Sequence, residues 1–252
     1  MAGKIVLDSQ IDLFSNIIQH LVVFSESIRI IGNNDTCLID AINDSQTSLC
    51  NIKLTSLWFT EYEMNNSITL IVNTSLLYKI IRVLDRSYPI TFELFTNELQ
   101  IQGKSVQSDV VYKIPSLAID IPIIEVPSNI EYSADVSMTS KTLCSTLENL
   151  MILGDDCSIH IQEESMLFTA EGDLGSTIIT LSMEDLNSYV IEENVNLKLE
   201  FHLKMLHVVS LFYKLSDTID MHVSDDKPLV IQYNMKNDSY LRFMIAPKIS
   251  DD

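Results

Sequence analysis

The stretch DKPLVIQYNMKNDSYLRFMIAPKIS, residues 226–250, contains the clearest secondary-structure pattern in this chain. Residues 228–233 and 240–245 are rich in β-branched and aromatic side chains, and the polar residues 236–239 lie between these two runs. Because Asn, Asp and Ser favour tight turns between strands, the pattern predicts a β-hairpin. The segment 246–249 contains Pro247, which cannot donate a hydrogen bond to a sheet, and is predicted to end the hairpin.

The chain repeats one order of elements in its two halves, which predicts an internal duplication. Each half begins with an amphipathic helix, contains a second helix and closes with short β-rich runs. Runs of about five to seven residues separated by turn residues are typical of antiparallel sheets. We therefore predict an α+β fold of two duplicated domains, with two unrelated α+β units as the alternative. The predicted helices are 9–24, 74–86, 140–153 and 203–214.

A proline-containing segment, residues 116–132, separates the two halves and is called the connector below. Pro122 and Pro127 exclude it from the interior of a helix, because proline lacks the N–H group that a helix needs. Its many Ile and Val residues indicate that it packs on another surface. The predicted domains are therefore 1–115 and 133–252, joined by the connector.

The charge of the chain is unevenly distributed. Its 252 residues include 35 acidic and 16 basic side chains, and the net charge of −19, taken whole, disfavours binding to phosphates. The four predicted helices nevertheless hold six basic and three acidic residues, whereas the rest of the chain holds 10 basic and 32 acidic ones. Positive charge is thus concentrated on the helices.

The basic residues also lie on particular helix faces. At 100° per residue, Lys79, Arg82 and Arg86 lie opposite an apolar stripe, and Lys204, His207 and Lys214 share a face with Ser210. A buried stripe would fix each helix on a sheet and turn its basic face outward, although an ordinary solvated face is the alternative. The apolar stripe of the second helix consists of Leu77, Ile80, Ile81 and Leu84.

No sequence motif of an enzyme or a metal centre is present. The six glycines form neither a phosphate-binding loop nor a dinucleotide-binding motif, and no His-Glu-x-x-His or Gly-x-Ser-x-Gly segment occurs. Cys37, Cys50, Cys144 and Cys157 lack zinc-type spacing, which favours reduced, buried thiols. No apolar run reaches the roughly 18 residues of a transmembrane helix, and no signal peptide is expected. We therefore predict a protein that is not an enzyme and has no cofactor or metal.

A second segment supports the interpretation of residues 226–250. Residues 168–175, FTAEGDLG, are followed by the β-rich run TIITLS at 177–182. Together these segments resemble the Glu/Gly-rich turn and the C-terminus of eukaryotic DNA sliding clamps, the proliferating cell nuclear antigen family. The resemblance implies a ring-shaped homotrimer that encircles duplex DNA, tethers DNA polymerase and other replication and repair proteins, and is placed on DNA by a clamp loader. A subunit of a checkpoint-type or heterotrimeric clamp is the alternative, and the expected location is the nucleus, or a cytoplasmic viral replication site.

The resemblance implies that the helices line the hole of the ring and contact DNA. Contacts to phosphate carry no sequence information, which suits a protein that slides. The first helix has no Lys or Arg, and Ser145 and Glu148 occupy positions that are usually basic in the family. We therefore expect weak contact with DNA. The residues implied are His20, Lys79, Arg82, Arg86, Lys204, His207 and Lys214.

The resemblance also implies a groove beside the connector, in which partners insert a peptide with a hydrophobic plug and two aromatic residues. An exposed apolar cleft with backbone groups at its edge suits such a peptide, although core packing is the alternative for each residue taken singly. The groove residues implied are Ile42, Ile121, Ile123, Val126, Pro127, Pro228, Met244, Ala246, Pro247, Lys248 and Ile249.

Subunits of the family join through edge strands, which here correspond to residues 109–114 and 176–182. Both runs are β-rich, and an uncovered edge of this kind promotes aggregation unless it is paired. The interface residues implied are Asp109, Val110, Val111, Tyr112, Lys113, Ile114, Thr177, Ile178, Ile179, Thr180 and Leu181.

One regulatory feature of the family is predicted to be missing. The lysine that many members use as a ubiquitin acceptor corresponds to Glu163. A carboxylate cannot form this bond to ubiquitin, and residues 157–167 contain no lysine. No modification of this loop is therefore expected.

Overall fold

The computed structural model describes residues 1–119, 121–122 and 131–248. The chain forms two compact units, Met1–Ile123 with Met235–Leu241, and Ile124–Asn234 with Arg242–Asp252. Residues Met235–Leu241 thus group with the first unit, although they follow most of the second unit in sequence. The exact bounds of the duplicated domains stay a prediction.

Antiparallel sheets form most of the first unit. Strands run in the order β5-β1-β7-β8-β9 in a five-stranded sheet, and β4, β3, β2 and β6 are neighbours in a second sheet. Two helices, α1 and α2, pack against each other. The elements are β1 (Gly3–Leu7), α1 (Ile11–Phe24), β2 (Ser27–Gly32), β3 (Thr36–Ile42), β4 (Ser48–Thr55), β5 (Glu61–Met64), β6 (Ile68–Asn73), α2 (Thr74–Val83), β7 (Ile90–Phe95), β8 (Glu98–Ser105) and β9 (Ser108–Pro115).

The second unit repeats this organisation. Strands β13, β12, β11 and β15 form a four-stranded sheet in that order, and β14, β10, β16 and β17 are neighbours in another. Helices α3 and α4 pack against each other. The elements are β10 (Ala134–Thr139), α3 (Ser140–Leu150), β11 (Asp156–Ile161), β12 (Ser165–Gly172), β13 (Gly175–Ser182), β14 (Ser188–Ile191), β15 (Leu197–His202), α4 (Leu203–Ser210), β16 (Thr218–Val223) and β17 (Leu229–Asn234); the last strand of the chain is β18 (Tyr240–Ile245).

The predicted α+β fold with mainly antiparallel sheets is confirmed. Helices α2 and α3 begin alike, because each follows a strand directly and starts with a side-chain cap. The Asn73 side chain accepts a hydrogen bond from Leu76 N at 2.8 Å, and the Thr139 hydroxyl accepts one from Thr142 N at 3.1 Å. Such caps satisfy N–H groups that the first turn of a helix leaves unpaired.

Each predicted helix is longer than the observed one at one of its two ends, so that end of each prediction is wrong. The second helix ends because the backbone is extended at Leu84, and Asp85 N then donates to Lys104 O of β8 at 2.7 Å. This hydrogen bond to β8 takes the place of the next hydrogen bond within the helix. The predicted helix 9–24 begins at Ile11, 140–153 ends at Leu150, and 203–214 ends at Ser210 and continues as the 3-10 turn Leu211–Lys214.

The C-terminal stretch forms the predicted strands, β17 and β18, with a turn between them. Asn237 and Asp238 adopt φ values of 59° and 54°. Asn and Asp tolerate this left-handed conformation better than other non-glycine residues. Met235 N donates to Ser239 O at 2.8 Å and closes the turn. Among the described residues, no helix is both long and apolar enough to cross a membrane.

Candidate functional site

The second helix presents two basic side chains to solvent. Lys79 and Arg82 of α2 are exposed, whereas Leu77, Ile80 and Ile81 are buried. The alternation follows from the helical repeat, because residues three and four apart lie on one face. The predicted apolar stripe is therefore buried, and the two basic residues share the opposite, solvent-facing side.

Arg86 does not belong to this helical face, and that part of the prediction is wrong because α2 ends at Val83. Its side chain instead reaches α1, where Nη1 lies 2.6 Å from Asp12 Oδ1 and Nη2 donates to Ser15 Oγ at 3.0 Å. Asp12 therefore partly neutralises a cation that the sequence assigned to phosphate contact.

The first helix presents little positive charge. His20 is half-buried, and Asn16 Nδ2 lies 3.3 Å from its Nε2 atom. The acidic side chain in the first turn of α1 is Asp12, and no basic residue follows in its last turn. These surroundings agree with the expectation that the first helix carries little positive charge.

Helix α4 is held in place from inside the second unit. Tyr233 of β17 is fully buried and donates its hydroxyl proton to Val209 O at 2.9 Å. Phe212 packs between this ring and Phe243, with ring centroids 6.5 and 5.2 Å away. These contacts orient the helix so that Lys204 points to solvent.

The other predicted residues of α4 have different surroundings. His207 is half-buried, and its Nδ1 atom is buried without a hydrogen-bond partner among the described residues. Lys214 is exposed in the 3-10 turn, with Nζ 5.8 Å from the centroid of the Tyr213 ring. Ser210 is fully buried and donates to His207 O at 2.8 Å, so its predicted place on the exposed face is wrong.

Helix α3 carries an acidic group on its exposed side. Lys141, Ser145 and Glu148 are all exposed. Glu148 Oε1 lies 3.7 Å from the Cys144 thiol, whose pKa is raised mainly because the sulfur is buried. The exposed side of α3 therefore combines one lysine with one glutamate, as the departures from the family pattern implied.

Two strands at the edges of their sheets have nearly the same pattern of exposure. β9 is an edge of the five-stranded sheet, and β13 is an edge of the four-stranded sheet. Ile114 and Leu181 are buried at the same position of the two strands, whereas Val111 and Ile178 are 52% and 64% exposed. All the predicted subunit-contact residues lie on these two edges.

The Glu/Gly-rich turn holds β13 close to the end of α3. A Cβ atom at Gly172 would lie 1.8 Å from Leu153 O, so no larger residue fits without a movement of backbone. Gly175, with φ of 150°, begins β13. Glycine at these positions therefore allows the hairpin to pack on the segment that follows α3.

The predicted groove residues are distributed over the two units. In the first unit, Ile42 is half-buried at the end of β3, and Ile121 is 8% exposed. In the second unit, Pro228 and Ala246 are exposed, and Met244, Pro247 and Lys248 are half-buried. The predicted groove residues Ile123, Val126, Pro127 and Ile249 lie outside the described residues.

Lys248 fixes the end of the described chain to the four-stranded sheet. Its backbone N–H donates to Glu200 O at 2.7 Å, and its Nζ atom lies 2.5 Å from Asp156 Oδ2 and 3.6 Å from Glu200 Oε1. His202 Nδ1 lies 2.9 Å from the other oxygen of Asp156. The hydrogen bond from Lys248, followed by that from His202, lowers the pKa of Asp156.

Sequence reasoning missed a buried ion pair between Arg29 and Asp40, whose side chains are 7% and 14% exposed. The sequence contained an indication of this ion pair, because the charged Arg29 interrupts the apolar run SIRIIG of β2. Charged residues are rarely buried unless they are paired. The prediction of reduced, buried cysteines agrees with the structure, since Cys37, Cys50, Cys144 and Cys157 are buried and free.

The chain is similar in sequence to known proteins. The sequence profile described as "Proliferating cell nuclear antigen, C-terminal domain" matches residues 126–248. The proliferating cell nuclear antigen of Chaetomium thermophilum is 28% identical over 229 residues, which cover 87% of this chain and 88% of the relative. DNA polymerase sliding clamp 1 of Sulfolobus acidocaldarius is 28% identical over 250 residues, covering 98% and 100%. Proliferating cell nuclear antigen 2 of Drosophila melanogaster is 22% identical over 219 residues, covering 84% and 85%.

Proposed function

Because the chain belongs to the proliferating cell nuclear antigen family of DNA sliding clamps, we propose that it closes around duplex DNA as a homotrimeric ring. In this role it holds DNA polymerase and other replication and repair proteins at their template. The protein acts by binding and tethering, without a chemical step of its own. A clamp loader opens the ring and places it on DNA.

The observation that carries this proposal is the placement of charge. In an acidic chain with a net charge of −19, the α-helices carry four exposed cations, Lys79 and Arg82 on α2, Lys141 on α3 and Lys204 on α4, although Lys113, Lys198 and Lys236 are exposed outside the helices. Ser145, Glu148 and the Asp12–Arg86 pair reduce the positive charge of these helices. Contact with DNA is therefore weak, independent of sequence and sensitive to salt.

Retention on DNA of different topology tests encirclement. The protein is loaded by a clamp loader onto a nicked circular plasmid, and half of the sample is then cut once with a restriction enzyme. A ring that surrounds DNA stays on the circle and slides off the linear product, and streptavidin bound at biotinylated ends restores retention. Equal retention on circular and linear DNA at moderate salt would contradict the proposal.

Partner proteins reach the ring through the predicted groove beside the connector. Two observations in the first unit support this groove. Ile42 and Ile121 are apolar, and Asp40, which lies on β3 with Ile42, pairs with Arg29, which binds the connector at Ile121 O. A fluorescent peptide with a hydrophobic plug and two aromatic residues should bind, and Ile42→Ala should weaken its binding. The same peptide with both aromatic residues changed to Ala is the control.

Self-association distinguishes the homotrimer from the alternative of a heteromeric or checkpoint-type subunit. Two open strand edges in one chain, β9 and β13, favour head-to-tail pairing of identical subunits. Sedimentation of the purified chain should give three times the subunit mass of 28.6 kDa. A monomer at all accessible concentrations would instead favour a clamp that requires different partner subunits.

The proposed location is the nucleus, where replication of a cellular genome takes place. The relatives from Chaetomium thermophilum and Drosophila melanogaster bear the name of a nuclear antigen, which supports this proposal. A cytoplasmic viral replication site is the location expected if the chain is viral. Fluorescence microscopy of the tagged protein in its source cell decides between them.

A further inference from the structure

Arg29 lies at the centre of a polar row that crosses three strands of the first unit. Arg29 on β2 is paired in register with Asp40 on β3, which is paired with Asn51 on β4. Arg29 Nε and Nη2 donate to Asp40 Oδ2 at 3.2 and 2.8 Å, and Asn51 Nδ2 donates to Asp40 Oδ1 at 2.7 Å. Asp40 therefore accepts hydrogen bonds on both of its oxygens.

The same guanidinium also binds the connector. Arg29 Nη1 donates to Ile121 O at 2.7 Å, and Nη2 lies 3.4 Å from Pro122 O. Arg29 is only 5% exposed, so water cannot readily replace these two carbonyl groups. A buried guanidinium whose N–H groups lack acceptors is costly, and the connector supplies acceptors that Asp40 alone cannot.

The beginning of the connector has a second attachment. Leu117 N donates to Ile71 O at 2.8 Å, and Ile71 N donates to Ser116 Oγ at 3.0 Å. Ile71 belongs to β6, which neighbours β2. The described part of the connector is thus bound first at β6, through Ser116 and Leu117, and then at the Arg29 side chain, through Ile121 and Pro122.

This attachment lies close to residues of the predicted partner groove. Ile42 is two residues beyond Asp40 on β3, and both lie on the face that alternates with the buried Ile39 and Ala41. Side chains two residues apart on a strand point to the same face, roughly 6–7 Å apart. The carbonyl that Arg29 binds belongs to Ile121, another predicted groove residue.

We propose that Arg29 is a positioning residue for partner binding, which acts by holding the carbonyl groups of Ile121 and Pro122 beside Ile42. The inference rests on the proposed function, because it assigns the partner peptide to this part of the first unit. Without the guanidinium, the connector loses two charge-assisted hydrogen bonds. A partner that binds must then also order the connector, which costs free energy. The affinity for the peptide should then fall by about 5- to 50-fold.

Two substitutions separate positioning from simple stability. Arg29→Lys keeps a positive charge beside Asp40, but an ammonium lacks the planar fork that binds a carboxylate and a carbonyl together. Arg29→Met combined with Asp40→Leu removes both charges, which avoids leaving one buried ion without a partner. Both variants should form the parent's trimer. Asn51→Ala is the matched control, because it weakens the same row while leaving the bonds from Arg29 to the connector intact.

The experiment measures hydrogen exchange and peptide affinity on the same preparations of the full chain. In both Arg29 variants, the amides of residues 116–121 should exchange faster, and the synthetic peptide with a hydrophobic plug and two aromatic residues should bind about 5- to 50-fold more weakly. The Asn51→Ala variant should bind the peptide like the parent.

The outcomes distinguish the two proposals. If the parent binds the peptide and both Arg29 variants bind it equally well, the positioning role is refuted and the proposed function stands. An affinity decrease of the same size in Asn51→Ala would likewise refute positioning, because general weakening of the row would account for it. If the parent itself does not bind the peptide, the partner-binding part of the proposed function is refuted, and the role of Arg29 with it.

Discussion

Replacing Ile178 on the β13 edge by Ala should weaken the association of subunits. Ile178 is 64% exposed in the single chain, and complete burial of an isoleucine side chain contributes about 1.5–3 kcal/mol. An interface that covers the exposed part should therefore gain about 1–2 kcal/mol from this residue. Alanine retains only part of this contribution, so each interface should be weakened by about 1 kcal/mol, or roughly 5- to 10-fold in the association constant.

The effect is multiplied in a closed ring. Dissociation of a homotrimer into monomers breaks three identical interfaces, so the overall constant should change by roughly 100- to 1,000-fold. Analytical ultracentrifugation over a concentration series measures this as a shift of the trimer-to-monomer midpoint to higher concentration. The stronger variant Ile178→Pro also removes a backbone donor, and it should abolish the trimer at concentrations where the parent is fully assembled.

Val190 provides a matched control for Ile178. It is 62% exposed on β14, another strand at a sheet edge, but the predicted interface does not include it. The Val190→Ala variant should therefore have the parent's midpoint. If Ile178→Ala also has that midpoint while its circular dichroism matches the parent, β13 is not the subunit interface and the assignment of both edge strands is refuted.

Three further predictions concern DNA, pH and modification. Changing Lys79 and Arg82 together to Ala should flatten the slope of log K against log salt for duplex DNA, by about 0.9 for each phosphate that the variant no longer neutralises, and an unchanged slope would show that α2 does not contact DNA. Because hydrogen bonds from Lys248 and then His202 lower the pKa of Asp156, their contribution to stability is complete above the unfolded-state pKa of about 3.9 and disappears as pH falls through the lower folded-state value. The difference in Tm between the parent and Lys248→Met should therefore be present at pH 7 and vanish at strongly acidic pH, whereas a constant difference would mean that the lysine acts through packing. Mass spectrometry of the protein from its source cells should find no ubiquitin in the loop that contains Glu163, and a modified peptide from this loop would contradict the prediction.

Much of the fold was predictable because its signals are local. The strands at 229–234 and 240–245 follow from β-branched and aromatic residues, and the intervening turn follows from Asn and Asp at left-handed positions. The buried stripe and the exposed Lys79 and Arg82 of α2 follow from the helical repeat. Helix ends were less predictable, because α2 stops where Asp85 N finds an acceptor on β8, a strand that follows later in the sequence.

The sequence by itself determined the resemblance to DNA sliding clamps, the mainly antiparallel architecture and the positive charge of the helices, since these depend on residue type and spacing. The tertiary structure alone decided which of the charged side chains are neutralised by a partner. It paired Arg86 with Asp12, bound Lys248 to Asp156, and buried Arg29 between Asp40 and the connector. The partners in these pairs lie 11 to 92 residues apart in sequence, so no local pattern indicates them. Their neutralisation depends on distances of a few ångströms that only the packed chain defines.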